Sequence, residues 1–205
     1  NLLFVGTDHN LYVSLDRGKT FQTLHPDYPE APVHDLVIQP TAHDLLIGTH
    51  GRSIYKLNIS DVEKMTEEVL ASSLFVFDIA KKRFSRNWGK QQPYEKIKDP
   101  ELPVTFYSAS VGKAEWKVQL KNDGTVLNSG VVDCNKGLNK FVYTLDVLPA
   151  SLKKYKDALS ATKKDDKKPA EPEKADSGKY YLNKGSYTFT LEKDKVIVTT
   201  SFIIE

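Results

Sequence analysis

The chain has little sulfur, with one cysteine, Cys134, and one methionine in 205 residues. A single thiol excludes an intrachain disulfide framework and a metal site built from several thiolates, and we predict neither a metal nor another cofactor. Among strands, a lone cysteine is typical of a small buried residue, which is our prediction for Cys134. Long hydrophobic runs are also missing. None approaches the roughly 20 residues of a membrane-spanning helix, so we predict no membrane span.

A large excess of charge of either sign is absent too. The chain has 29 Lys and Arg residues against 27 Asp and Glu residues, a formal net charge of +2. Nucleic-acid binding through phosphate neutralisation needs a concentrated basic face, so we predict no nucleic-acid partner. Hydrophobic residues make up 40% and charged residues 27% of the chain. This balance is typical of a globular protein of one large or two small domains.

Two segments near the start of the chain repeat each other. NLLFVGTDHNLYVSL (1–15) and DLLIGTHGRSIYKL (44–57) both place an acid or amide, two leucines and Gly-Thr before an apolar strand. The two Gly-Thr pairs are 42 residues apart, within the roughly 40–50 residues of a four-stranded propeller blade. The segments between them, LYVSL, TFQTL and VHDLVIQP, are short, turn-bounded and rich in β-branched or aromatic residues, which predicts strands.

The turn after LYVS reads SLDRGKTF. Asp16 can accept hydrogen bonds from the amides of a tight turn, and Gly18 permits a positive φ. Ser14 and Thr20 can bond across the hairpin mouth, and Phe21 is expected to anchor the turn. The pattern resembles the Asp-box, S-x-D-x-G-x-T-W, of sialidase, xyloglucanase and sortilin-type propellers, with Phe in place of Trp. The resemblance implies a structural marker of the fold, so we predict no catalytic residue here.

Residues 32–57 resemble the closing blade of sortilin-like Asp-box propellers, because GTHGRS (48–53) keeps the motif order through the turn. Such propellers are common in exported bacterial proteins, which implies a secreted, periplasmic or cell-surface location. One and a half blades cannot close a ring, since each blade packs against two neighbours. We therefore expect the remaining blades in the same parent protein or in another chain. The first residue is Asn and a strand follows at once, so we expect the chain to be a trimmed part of something longer.

Polar residues of this first part are candidates for chemistry or binding. Hydrolysis of a sugar bond needs two carboxylates on opposite sides of it. The candidate carboxylates are Asp8, Asp35 and Asp44, and the polar groups of a cleft would be His34, His50 and Arg52. No pair of them has diagnostic spacing. His50 and Arg52 follow an inner strand whose end points toward the channel of a propeller, and we predict them as binding residues.

A helix and linker are predicted over residues 59–100. Ser60 and Glu63 have the S-x-x-E form of a capping box. Apolar residues at helical spacing predict a short amphipathic helix over 61–71, and these are Val62, Met65, Val69 and Leu70. SLFVFDI then follows as a strand.

The basic segment KKRFSRNWGKQQPYEKIK (81–98) carries the interleaved aromatics Phe84, Trp88 and Tyr94. Aromatics between cations can stack on the bases of single-stranded nucleic acid, and Trp88 can stack on carbohydrate. The alternative is a linker whose aromatic residues fix it to the neighbouring domain. Trp88 is our candidate binding residue in this segment.

Residues 101–205 have the pattern of an immunoglobulin-like sandwich. EWKVQL and TVLNSGVV flank Asn-Asp-Gly, a hairpin signal. GLNKFVYTLDV follows, and GSYTFTLEKDKVIVTTSFIIE predicts a second hairpin that turns at 192–195. Short strands without helical periodicity favour the sandwich.

A second resemblance lies in WKVQL (116–120), DG (123–124), KGLN (136–139) and KGSYT (184–188), taken in this order. They resemble the Ig-like domain of the flagellar hook-capping type, although Lys184 replaces its usual proline. The resemblance implies a spacer, sorting signal or packing module that makes contacts through edge strands and loops.

A charged, flexible insertion is predicted at about 153–179, because Lys, Asp, Glu, Ala and Pro dominate there. Leu152, Tyr155 and Leu159 can align on a short helix at its start. Asp165 and Asp166 are too crowded by lysines to predict a calcium site.

Together these patterns predict a mainly β chain with partial propeller blades at 1–58, a short helical connector at 59–100 and an Ig-like sandwich at 101–205. The predicted role is structural and non-catalytic, with a peptide, protein or glycan bound through the parent propeller. One alternative is part of a xyloglucanase- or sialidase-like glycoside hydrolase whose catalytic carboxylates lie mostly upstream. Another is a cell-surface attachment or sorting module.

Overall fold

The computed structural model describes residues 2–23, 30–161 and 172–205. Strands hold 46% of the described residues and helices 12%, so the predicted mainly β class is confirmed. The chain divides into two compact units, Asn1–Ser72 and Ser73–Glu205. The predicted three-part division at residues 58 and 100 stays a prediction. Among the described residues, no helix has the length and apolar character needed to cross a membrane.

The first unit contains two three-stranded antiparallel sheets. One has the order β1 (Leu3–Gly6), β2 (Leu11–Ser14) and β3 (Gln22–Thr23), and the other β4 (Val33–Gln39), β5 (Asp44–Thr49) and β6 (Ile54–Asn58). These strands follow the predicted ones, except that TFQTL gives only the two-residue strand β3 before the described range ends at residue 23.

The sequence repeat is also a repeat of hydrogen bonds. Thr7 follows β1, and both its N–H and its hydroxyl donate to the Asn10 carbonyl at 3.0 Å. Thr49 ends β5, and its N–H and hydroxyl donate in the same way to the Ser53 carbonyl at 3.3 and 2.6 Å. The threonine of each Gly-Thr pair thus closes a turn, with its acceptor three residues on in the first segment and four residues on in the second.

The helical part of the first unit differs from the prediction. In place of one helix over 61–71 there are two, α1 (Ser60–Glu63) and α2 (Glu67–Ala71). Thr66 separates them because its backbone is extended and its hydroxyl oxygen accepts from the Val69 N–H at 3.3 Å, which makes it the N-cap of α2.

The predicted capping box is wrong. The Ser60 hydroxyl donates to the Asn58 side chain, and the Glu63 carboxylate contacts the His43 ring. The predicted apolar stripe is confirmed, because Val62, Met65 and Val69 are buried.

The second unit has two larger sheets. A three-stranded sheet has the order β11 (Gly137–Tyr143), β8 (Leu102–Ser108) and β7 (Leu74–Val76), and a four-stranded sheet has β10 (Val126–Cys134), β9 (Gly112–Leu120), β14 (Gly185–Lys193) and β15 (Val196–Ile204). A short pair, β12 (Asp146–Val147) and β13 (Tyr180–Tyr181), lies outside them. Both predicted hairpins, β9–β10 and β14–β15, are confirmed.

One hydrophobic core joins the two larger sheets of this unit. Along β14 the buried residues alternate with partly exposed ones, as the two-residue period of a strand requires. The core contains side chains from both sheets, among them Val104 and Phe106 of β8, Val118 of β9, Phe189 and Leu191 of β14, and Phe202 of β15. The sheets therefore face each other across a shared apolar layer.

The segment predicted as a charged insertion begins with a helix. A 3-10 turn (Pro149–Ser151) leads into α3 (Leu152–Ala161), on which Tyr155 is buried. The prediction of a short helix at Leu152, Tyr155 and Leu159 is therefore confirmed. Most of the KKDDKKPAEPEK stretch, with Asp165 and Asp166, lies outside the described residues.

Helix α3 is fixed by a closed ring of three hydrogen bonds. The Tyr187 hydroxyl donates to the Asn183 carbonyl at 2.7 Å, so the Tyr155 hydroxyl must donate to the Tyr187 oxygen at 2.8 Å. The Tyr155 oxygen then accepts from the Asn183 N–H at 2.9 Å. Burial raises the pKa of both tyrosines, so both stay neutral donors.

Tyr155→Phe should lower the free energy of unfolding of the second unit by about 1–3 kcal/mol, because it opens this ring inside the core. Both tryptophans of the chain, Trp88 and Trp116, lie in this unit, so urea unfolding followed by tryptophan fluorescence reports on it alone. Tyr94→Phe, at a fully exposed tyrosine, is the control and should change the free energy by less than about 0.5 kcal/mol. Equal effects of the two substitutions would contradict the structural role of the ring.

Candidate functional site

The Asp16 carboxylate is used by its own turn. Its Oδ1 accepts from the Thr20 N–H at 2.8 Å and from the Ser14 hydroxyl at 2.9 Å, and its Oδ2 accepts from the Thr20 hydroxyl at 2.6 Å. The Ser14 oxygen accepts from the Gly18 N–H at 2.7 Å, and Gly18 has φ +87°. These are the bonds expected of a carboxylate that holds a bend together.

The same bonds set the acidity of Asp16. The hydrogen bonds from the Thr20 hydroxyl and N–H are the largest causes that lower its pKa from 3.8 to about 2. The group is therefore ionised at neutral pH, where a general acid would have to hold a proton.

Phe21 does not anchor this turn as expected. Half of its side chain is exposed, although its ring approaches the space beside Gly18. The side chain at the aromatic position of the motif is therefore only half buried by the described residues.

The candidate carboxylates of the first unit do not form a hydrolytic pair from β4 and β5. Asp35 lies opposite Gly48, and Asp44 lies opposite Gln39. The backbone positions of the two aspartates are therefore four residues apart along the ladder, a distance of roughly 13 Å. The two carboxyl groups of glycosidases lie about 5–9.5 Å apart. Asp44 pairs with Lys56 at 3.2 Å, and Asp8 is exposed in the turn after β1.

His34 and His50 come together in the first unit. Their rings stack with centroids 5.1 Å apart and an interplanar angle of 25°. The ladder between β4 and β5 shifts register at His34, the pattern of a bulge, which redirects a side chain. Arg52 is exposed in the same β5–β6 turn as His50. A binding role for His50 and Arg52 stays a prediction.

Trp88 lines a cleft of about 900 Å³ in the second unit. Its ring meets Phe84 and Tyr181 edge to face, with centroids 5.3 and 6.4 Å away. Five cationic and two acidic side chains also line the cleft, namely Arg83, Arg86, Lys90, Lys174, Lys184, Glu173 and Glu205. Trp88 therefore both fixes the linker on the unit, packed against its core, and contributes to the wall of a basic cleft.

The linker beside this cleft extends the edge of the four-stranded sheet. The Lys82 N–H donates to the Ile203 carbonyl at 2.9 Å, and the Glu205 N–H donates to the Lys82 carbonyl at 3.0 Å. The Phe84 N–H then donates to the Glu205 carbonyl at 2.7 Å. The outer edge of β15 is thus covered at this end.

A second set of contacts, here called the Gly89 clasp, consists of Gly89, Asp99, Ser177, Lys179 and Tyr181. The Ser177 N–H donates to the Gly89 carbonyl at 2.9 Å. The Tyr181 hydroxyl donates to Asp99 Oδ1 at 2.5 Å and lies 2.7 Å from the Ser177 hydroxyl. Lys179 forms an ion pair with the other oxygen of Asp99. The clasp holds both ends of the loop 89–99 against the segment 177–181.

The protonation states within the clasp are mutually consistent. Burial alone would raise the pKa of Asp99, but the hydrogen bonds from Lys179 and Tyr181 and the charge of Lys179 together lower it. Burial, followed by the hydrogen bond to Asp99, raises the pKa of Tyr181 to about 12. At neutral pH an anionic acceptor thus faces a cation and a neutral hydroxyl donor. Sequence reasoning missed this clasp because Asp99 and Lys179 are 80 residues apart.

Other candidates for chemistry are structural. Cys134 is buried, as predicted, and burial raises the pKa of its thiol. In the ranges that the structure describes, no group of three or more His, Cys, Asp or Glu side chains is arranged to hold a metal ion.

Asp16→Asn should destabilise the first unit at pH 7, because an amide nitrogen cannot accept from the Thr20 hydroxyl. The wild-type contribution is present above pH 4 and is lost as the pH falls to about 2, since the pKa is lower in the folded state. Calorimetry should therefore show a flatter decline of melting temperature for the variant across this range. Asp8→Asn, at an exposed residue, is the control, and acid profiles identical for wild type and Asp16→Asn would contradict the prediction.

Gly89→Ala should lower the free energy of unfolding of the second unit by at least about 2 kcal/mol. Gly89 has φ +64°, and a Cβ there would lie 2.6 Å from the Ser177 Oγ and closer still to the Tyr181 hydroxyl. Gly178→Ala is the matched control, because Gly178 has φ +81° but nothing within 4 Å of its Cβ position. Gly178→Ala should lower the free energy of unfolding by only about 1 kcal/mol, which is the cost of a side chain in a left-handed backbone conformation. Equal costs in urea unfolding would rule out close packing at Gly89.

No family model matches the chain, and a search of curated proteins finds no significant match. What the two units do is therefore inferred from their residues, charges and contacts.

Proposed function

We propose that this chain is a structural and recognition region of an exported bacterial protein and carries out no catalysis itself. The first unit contributes blades to an Asp-box β-propeller whose other blades belong to the same parent protein or to another chain. The second unit is an Ig-like module. The parent protein binds a peptide, protein or glycan at the face of the propeller.

The observation that carries this proposal is the exposed apolar surface of the first unit. Val37 and Ile38 are adjacent on β4, so their side chains point to opposite faces of the sheet. They are 51% and 48% exposed, and Ile54 of β6 is 73% exposed. Apolar residues exposed on both faces of one strand indicate a partner on each side. A propeller blade has such partners in its two neighbours.

The repeated turns and the Asp16 turn also support the propeller. Thr7 and Thr49, 42 residues apart, both donate to a carbonyl across the turn that follows, three residues on in one case and four in the other. The Asp16 turn joins β2 to β3 as an Asp-box joins the strands of a blade.

The strand order of the second unit supports the Ig-like module. The short pair β12–β13 is left aside here. In chain order, the first, second and fifth of the other described strands (β7, β8 and β11) form one sheet, and the remaining strands (β9, β10, β14 and β15) form the second. Immunoglobulin-like sandwiches likewise place strands A, B and E in one sheet and C, F and G in the other. The fourth strand differs from the constant type, in which it joins A, B and E, because β10 pairs with β9 in the other sheet.

The two alternatives concern the parent protein more than this chain. A glycoside hydrolase would need a carboxylate pair other than Asp35 and Asp44, because these two are far apart along β4 and β5. An attachment or sorting module would depend on the second unit alone.

The proposal predicts that the chain associates with separately produced remaining blades of the parent propeller. Val37→Lys with Ile38→Lys should weaken this association more than roughly tenfold, because two apolar side chains lose their burial and two charges are placed in the contact. Biolayer interferometry measures the change. Val131→Lys with Val142→Lys, at exposed residues of the second unit, is the control. Failure of the wild-type chain to associate, or equal weakening by the control pair, would refute the proposed ring.

A further inference from the structure

The cleft around Trp88 concentrates positive charge in a chain that has almost none in excess. Five cationic side chains and two carboxylates line it, whereas the whole chain has a formal net charge of only +2. One of the carboxylates, Glu205, is already paired with Lys81 at 3.7 Å. In the part of the chain that the structure describes, none of the five lining cations has an ion-pair partner. Such a cleft attracts anions.

The wall of the cleft around Trp88 is held in place by contacts within the protein. Trp88 is held edge to face between Phe84 and Tyr181. The adjacent Gly89 is held by the clasp, and the backbone of Phe84 bonds to Glu205. Preorganised walls reduce the ordering cost of binding. Trp88 is partly exposed and lines the same cleft as Arg83 and Arg86.

We propose that this cleft binds a short acidic oligosaccharide. A sugar ring packs on Trp88, and its carboxylate or sulfate groups form charged hydrogen bonds with Arg83 and Arg86, whose planar guanidinium groups suit such anions. A volume of about 900 Å³ is near the upper end of the range for small-molecule sites, which gives room for more than one ring. All described residues that line the cleft belong to the second unit, so the site does not depend on the proposed propeller.

Two features favour a sugar over other anionic ligands. An acidic peptide would be expected to add a strand to a free sheet edge, but residues 82–84 already cover the edge of β15 beside the cleft. Single-stranded nucleic acid needs successive aromatic platforms. Here Phe84 and Tyr181 pack against Trp88, so one ring serves as the platform.

Calorimetric titration of the 205-residue chain tests the proposal. The acidic probes are a galacturonic acid trimer and a chondroitin sulfate tetrasaccharide, and the neutral probe is cellotetraose. We expect binding of at least one acidic probe, weakened by added salt, and none of cellotetraose. A poly-glutamate peptide and a thymidine oligonucleotide complete the panel. No binding of either acidic sugar, equal binding of cellotetraose, or preferential binding of the peptide or the oligonucleotide would overturn the proposal.

Variants then locate the site. Arg83→Gln with Arg86→Gln should weaken binding of the acidic sugar at least roughly tenfold, the loss expected for two charged hydrogen bonds. Lys113→Gln with Lys136→Gln removes the same charge at the other end of the sandwich strands and should leave binding unchanged. In Trp88→Phe, the fluorescence response to the sugar should disappear, because the remaining Trp116 packs among Phe141, Tyr143 and Phe189. Equal weakening by both charge pairs, or a fluorescence response that persists in Trp88→Phe, would contradict the site.

Discussion

The structure depends on supplying side-chain partners to the backbone amides and carbonyls of its many turns. Short strands leave a large share of the backbone outside ladders, and buried or turn amides without partners are costly. Asp16 and Ser14 serve the first tight turn, and Thr7 and Thr49 serve the two repeated ones. In the second unit a buried tyrosine hydroxyl, that of Tyr155, takes the same role for a loop amide. Polar residues that look reactive in the sequence therefore mostly form hydrogen bonds with the backbone of these turns.

This constraint explains which features could be predicted from the sequence. The Asp16 turn and the Asp-Gly hairpin were predictable because every partner lies within four or five residues, where turn chemistry is local. The capping box failed for a related reason, since the Ser60 hydroxyl had a competing acceptor in Asn58 and the Glu63 carboxylate had a competing donor in the His43 ring. The Asp99–Lys179 pair could not be predicted, because only the folded chain brings these residues together.

The clustering of charge in the basic cleft likewise could not be predicted from the sequence. A net charge near zero predicted no concentrated basic face. Folding, however, places Arg83 and Arg86 of the linker beside Lys174 and Lys184 from a distant segment. Trp88 was singled out in the sequence by its setting among cations, and the structure shows that its ring also packs against the core, as the alternative interpretation of the linker expected. A ring that packs against the core and is still partly exposed, as Trp88 is, can both fix the linker and line the cleft.

The two units bury their apolar residues to different extents, and this difference suggests that they have different roles. The second unit buries side chains from both of its sheets in one core, so its polar cleft can be shaped without loss of packing. The first unit keeps Leu45 and Ile47 of β5 buried while Val37 and Ile38 of β4 stay half exposed. Local turn chemistry fixes the shape of each small sheet but contributes no apolar cover. A sheet fixed in shape and apolar on both faces is suited to stack between similar sheets, which is the physical basis for the proposal that it belongs to a ring.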